Sequence, residues 1–102
     1  MRFDAIIEVR FKTTAENGRQ GAITGEIYGC PLLVDNEAFD CRLYIKGQTL
    51  SLGETYKVGI KFLNPQLAMP HLLPEKTIGL WEGKEIATGK VVRLGPIEEP
   101  AK

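Results

Sequence analysis

The sequence has no long apolar run. Met1-Arg2-Phe3-Asp4 is followed by only Ala5-Ile6-Ile7 before Glu8, whereas a secretory core needs about 7–15 apolar residues and a membrane span roughly 20. A cytoplasmic location without membrane attachment is therefore expected. Cysteine is scarce, with only Cys30 and Cys41. Without a secretory segment, two buried thiols kept reduced are expected ahead of a disulfide. Two cysteines and the single His71 cannot close a structural zinc site without carboxylates, so no metal is expected. Net charge is also missing, since 13 Lys+Arg balance 13 Asp+Glu. That excludes binding to nucleic acid or membrane by bulk charge and leaves room only for a local basic patch.

The motifs of catalysis are missing as well. A P-loop requires G-x-x-x-x-G-K-[ST], and the nearest string, Gly79-Leu80-Trp81-Glu82-Gly83-Lys84-Glu85, is one residue short and ends in a carboxylate. It reads as a hairpin. Nucleophilic catalysis needs a base beside a Ser or Cys, and His71 lies between Pro70 and Leu72 in a proline-rich stretch, where it is expected to be satisfied or solvated. The carboxylates of Glu98-Glu99 fall near the C-terminus, with no low-dielectric pocket to separate their pKa values. No enzyme activity, cofactor or nucleotide hydrolysis is expected.

What the sequence does contain is alternation. Phe3, Ala5, Ile7, Val9 and Phe11 share one parity, and mostly polar residues share the other, the mark of a half-buried strand. Residues 13–21 have no apolar face and read as a loop. An extended region, 22–34, is interrupted by Gly25, Gly29 and Pro31, which point to a bulge, a bend or an edge. Alternation returns at Phe39, Cys41, Leu43 and Ile45, and most cleanly at Tyr56, Val58, Ile60 and Phe62. Residues 64–76 hold Pro65, Pro70 and Pro74 and read as a long connection rather than a helix or central strand. Two final strands, 77–81 and 85–94, are joined by Glu82-Gly83-Lys84, and Gly89 is taken to mark a bulge. Gly95-Pro96 is expected to stop the last strand.

About six strands with turn signals between them and no amphipathic helix predict an all-β sandwich or a small closed antiparallel barrel. Residues 1–95 form the single domain of this reading, and 96–102 its flexible tail. On the outward parity, Arg10 and Lys12, Arg42 and Lys46, and Lys57 and Lys61 make one basic patch if their strands are neighbours. The plainer alternative is an ordinary mixed surface with Asp40 and Glu54 interspersed.

An ordered set of motifs carries a family resemblance: Leu52-Gly53-Glu54, Asn64-Pro65, Trp81-Glu82-Gly83-Lys84 and Thr88-Gly89-Lys90-Val91, with looser agreement at Phe3-Asp4-Ala5, Asn17-Gly18-Arg19 and Tyr28-Gly29-Cys30-Pro31. The set resembles the C-terminal β-barrel domain of elongation factor Tu over most of residues 3–94. The resemblance implies a six-stranded antiparallel barrel that contacts aminoacyl-tRNA and proteins of the translation apparatus. It implies no catalysis, because GTP hydrolysis in that family belongs to a separate domain. The positions it carries over as nucleic-acid or partner binding are Arg19, Lys84 and Lys90. Cys30 departs from the family, which has an arginine there that helps the barrel dock on its GTPase domain. The expectation is therefore a non-catalytic, stand-alone barrel with a protein partner. The alternative is tRNA or RNA binding through a local basic face. A third class, a small enzyme or ligand carrier, would place its pocket beside the 64–76 loop and His71.

Overall fold

The computed structural model describes residues 1–98. Its strands are β1 (Arg2–Phe11), β2 (Ile27–Val34), β3 (Glu37–Tyr44), β4 (Thr55–Phe62), β5 (Thr77–Trp81) and β6 (Glu85–Glu98). All pairings are antiparallel, and the order β1-β4-β3-β2-β5-β6 returns to β1, so the sheet closes on itself. Closure leaves no long free edge, which is how an all-β chain of this size avoids edge-to-edge association. Alternation determines which side chains go inside: Ala5, Ile7, Val9 and Phe11 meet Leu32, Leu43, Val58, Ile60, Leu80 and Val91 in one core of buried residues. At about 25 cal/mol per Å² of apolar surface removed from water, this filled interior is the main favourable term of folding.

The turns follow local chemistry. Asp35 and Asn36, both at positive φ (51° and 62°), make the two-residue β2–β3 connection, the left-handed geometry that Asp and Asn tolerate best after glycine. Thr13 caps a 3-10 turn at Thr14–Glu16, with its hydroxyl accepting from the Glu16 amide while the Glu16 carboxylate accepts from the Thr13 amide. This reciprocal capping satisfies amides that the short turn leaves unpaired.

Four local expectations are corrected. Residues 22–26 are not strand; only an isolated bridge, Ile23 to Leu50, ties that stretch to the barrel. The 64–76 connection contains a one-turn helix α1 (Pro65–Ala68) and a 3-10 turn (Met69–His71). Pro65 sits at the start of α1, where a missing N–H costs nothing, so this proline favours a helix instead of forbidding one. Gly89 is not the bulge. Its neighbours keep register, Gly89 facing Val9 and Ile78, and the slip lies where Ile6 and Ile7 face Arg93 and Val91. Gly89 is required for a different reason: a Cβ there would lie 1.9 Å from the Glu8 carbonyl oxygen. Finally, β6 does not stop at Gly95-Pro96. The register shifts between Phe3 and Ala5, so β6 accommodates a proline without a ladder donor and continues to Ile97 opposite Phe3. Residues 96–98 are thus strand, Ile97 is buried, and 99–102 of the expected tail, with Glu99, lie outside the described residues.

Phe3 is the odd member of its parity. It is buried, yet it is not part of the main core cluster. Its ring covers Gly59, where a Cβ would lie 2.5 Å from Phe3 Cδ2, and sits 5.6 Å from the ring of Tyr44, the cross-strand partner of Gly59.

Candidate functional site

The loop before β2 and the β5–β6 hairpin meet at one end of the barrel. Closure places them together: β2 pairs with β5 at Leu32 to Leu80 and Leu33 to Gly79, and β5 then runs one residue further to Trp81 before the turn. Gly83, at φ 71°, makes the turn. Arg19 Nε donates to Glu82 Oε1 at 2.9 Å, and the Tyr28 hydroxyl donates to Glu82 Oε2 at 2.7 Å. One carboxylate therefore receives a donor on each oxygen. The Arg19 guanidinium also lies 5.5 Å from the centroid of the Tyr28 ring, a distance at which the ring face attracts the cation. Arg19 Nη1 reaches the carbonyls of Gly21 and Ala22 at 3.4 Å each. Lys84 Nζ donates to Asn17 Oδ1 at 3.3 Å.

The electrostatics follow from these bonds. The Tyr28 hydroxyl first, then Arg19, hold the Glu82 carboxyl below its usual range. Desolvation first, and the hydrogen bond to Glu82 second, push the Tyr28 phenol up. The cluster is thus charged on Glu82 and neutral on Tyr28 across the ordinary pH range. Trp81 stands beside it with 42% of its surface exposed.

Of the three positions carried over by resemblance, the fold brings Arg19 and Lys84 to the same end and leaves Lys90 elsewhere. Lys90 faces Glu8 and Thr77 in the sheet, and its Nζ pairs with Glu75 Oε1 at 3.1 Å. Glu75 holds the Lys90 ammonium above its usual range. Sequence reasoning missed Tyr28 and Glu82 as site residues. The available signal was Glu82 itself, an acid at the first position of a tight turn whose other side chain is Lys84.

The expected basic patch is present only in part. β1, β4 and β3 are neighbours, as the patch required. Arg10 and Lys12 are nevertheless taken up by Glu16 and Glu85, at 3.0 and 2.9 Å. Arg42 and Lys61 face each other directly across β3 and β4, and Lys57 faces Glu8.

His71 is satisfied, with Nδ1 3.0 Å from Asp35 Oδ2, Nε2 3.4 Å from Glu37 Oε2, and its ring 5.1 Å from that of Phe39. Lys76 Nζ lies 2.6 Å from the other Asp35 oxygen. Lys76 first, then His71, hold the Asp35 carboxyl down. These contacts pin the 64–76 connection to the β2–β3 turn. A groove of about 480 Å³ runs between that turn and β5–β6; its wall holds Asp35 and Glu37, the partners of His71, with Leu33, Thr77, Glu85 and Thr88. A smaller groove of about 200 Å³ adjoins the 64–76 connection itself at Asn64 and Leu67. Cys30 and Cys41 are free thiols facing each other across β2 and β3. Cys41 Sγ donates to the Cys30 carbonyl at 3.3 Å. Among the described residues no group of three or more His, Cys, Asp or Glu could hold a metal ion, and no helix is long and apolar enough to cross a membrane.

In comparison with known proteins, no family model matches the chain and no curated protein matches it.

Proposed function

We propose that the chain is a non-catalytic, stand-alone β-barrel interaction module that docks on a protein of the translation apparatus, as its resemblance to the C-terminal barrel of elongation factor Tu implies. One observation carries the docking part. Trp81, 42% exposed, stands at the end of a hairpin whose next residue, Glu82, is fixed by Arg19 and Tyr28. Tryptophan beside a preordered polar rim is the usual composition of an interface hot spot, because little side-chain freedom remains to be lost on binding. Arg19 is paired with Glu82 and Lys90 with Glu75, and Lys84 alone of the carried-over cations is bonded to a neutral group, Asn17. One uncompensated charge favours a protein partner there over the phosphates of RNA.

The test replaces Trp81 with a photocrosslinking phenylalanine analogue in the full chain and irradiates it in native extract. Reproducible protein adducts, weakened by Arg19→Ala, are expected. Absence of any reproducible protein adduct overturns the proposal. Labelled tRNA that binds at about 50 mM salt and is released by Arg19→Ala and Lys84→Ala transfers the function to RNA.

A further inference from the structure

A second surface lies on the other side of β2 from the hairpin. β2 sits between β5, which ends in Trp81, and β3, which bears Arg42. Arg42 faces Lys61 directly on β4, and like charges at directly opposed positions destabilise a sheet. Among the described residues neither side chain has a hydrogen-bond or ion-pair partner. On its other flank Arg42 faces Gly29, which has no side chain to screen it. Here the chain tolerates an unfavourable pair that its own acids do not relieve.

Apolar surface adjoins the pair. Leu63 and Leu67, just after β4, are 50% and 59% exposed. A groove of about 250 Å³ lies between Gly29, Pro31, Asp40, Arg42 and Leu63. A second, of about 200 Å³, lies between Ala38, Phe39, Asp40, Asn64 and Leu67. Asp40 is common to both, so the two form one strip with a cation pair at one end and aliphatic knobs along it.

We infer that this strip docks a segment of a partner protein that carries an acidic side chain next to aliphatic ones. The carboxylate sits over Arg42 and Lys61, and the aliphatic side chains fill the grooves beside Leu63 and Leu67. Asp40 decides between a peptide and a nucleic acid. A phosphate chain following the strip would meet the Asp40 carboxylate head on, whereas a polypeptide supplies N–H donors for Asp40 as well as an anion for Arg42. The leucines point the same way, since aliphatic side chains contribute nothing to phosphate contacts. The inference rests on the reading of the chain as an interaction module and adds the chemistry of what the module holds.

The test pans the full chain against a display library of random 12-residue peptides. Enrichment of sequences combining Asp or Glu with Leu, Ile or Val is expected. Peptides so enriched should lose about tenfold or more in affinity to the Arg42→Glu/Lys61→Glu variant. Leu63→Ser, a single exposed change with little effect on folding, should weaken them independently. Absence of enrichment, enrichment of basic sequences, or binding indifferent to Arg42, Lys61 and Leu63 overturns the inference. So does oligouridine RNA binding that Arg42→Glu/Lys61→Glu abolishes, or a dimer in sedimentation that Leu63→Ser dissolves. If the adducts at position 81 persist while this panning fails, the module reading survives and only the strip is lost.

Discussion

The phenol of Tyr28 is bonded to the carboxylate of Glu82 at 2.7 Å, joining residues 54 positions apart in the chain. This bond closes the barrel end where β2 has run past β5, and Arg19 holds the second oxygen of the same carboxylate.

Removing the Tyr28 hydroxyl should therefore weaken this end of the barrel. Tyr28→Phe keeps the ring under Arg19 and deletes only the charge-assisted bond, at a cost of about 1 kcal/mol given the partial exposure of the cluster. Arg19→Ala with Glu82→Gln should show weaker coupling, within about 1 kcal/mol, because both side chains are partly in water (25% and 47% exposed). Double-mutant cycles by urea unfolding measure both terms. A Tyr28–Glu82 coupling indistinguishable from zero would show that the bond adds nothing to closure.

Acid should erode the Thr13–Glu16 turn. The Thr13 amide first, and the Arg10 guanidinium second, hold the Glu16 carboxyl down from 4.5 to about 2. A depressed folded-state value means that the stabilisation is fully present above the ordinary carboxyl range and is lost as pH falls toward 2. Glu16→Gln lacks this titration. The gap in unfolding midpoint between wild type and Glu16→Gln should be constant above about pH 5 and narrow steadily below it. A gap that stays the same from neutral pH to pH 2 would refute the assignment.

Much of the barrel can be read from the sequence because a strand's side chains alternate and most residues of one parity go to the core. The alternation over 55–62 marks β4, and Glu82-Gly83-Lys84 marks the last hairpin, without any knowledge of neighbours. Phe3, Pro96 and Glu82 resist such reading for a common reason: each is decided by something far away in sequence. Phe3 leaves its parity class because Gly59 offers a gap on the outer face. Pro96 stays within a strand because β1 shifts register opposite it. Arg19, which the resemblance marks as a binding position, is bonded to Glu82 in the fold, since the hairpin and the loop meet only after β2 has paired with β5. The unpaired Arg42 and Lys61 are legible in the sequence as outward cations, but their direct opposition depends on the β3–β4 register.

The Cys30 and Cys41 thiols should differ in reactivity despite facing each other. Cys30 is 8% exposed and Cys41 1%. The adjoining Cys30 thiol first, and burial second, push the Cys41 thiol up, which suppresses the thiolate that reagents require. Native protein treated with an aromatic disulfide reagent should label Cys30 slowly and Cys41 later, and both should react at once in guanidinium. Mass spectrometry after partial labelling identifies the order, and Cys41 labelled first would contradict it.

Gly59 provides the most direct check on the outer face. Its backbone φ lies outside the range that strains an L residue, so in an ordinary strand Gly59→Ala would gain a little from reduced freedom of the unfolded chain. Here the new methyl would lie 2.5 Å from Phe3 Cδ2 and 2.6 Å from Cε2, and a ring held between Gly59 and Tyr44 cannot retreat as the end of a flexible side chain would. Displacing it should cost about 1–3 kcal/mol, seen as a drop in the thermal midpoint of roughly 4–8 °C per kcal/mol for a domain of this size. Phe3→Ala removes the obstacle at its own cost in buried surface. In that background Gly59→Ala should be neutral or slightly stabilising, so the two substitutions must be strongly non-additive. Additive losses would mean that the Phe3 ring does not rest on Gly59, and that the first strand keeps it on the inner face with Ala5 and Ile7.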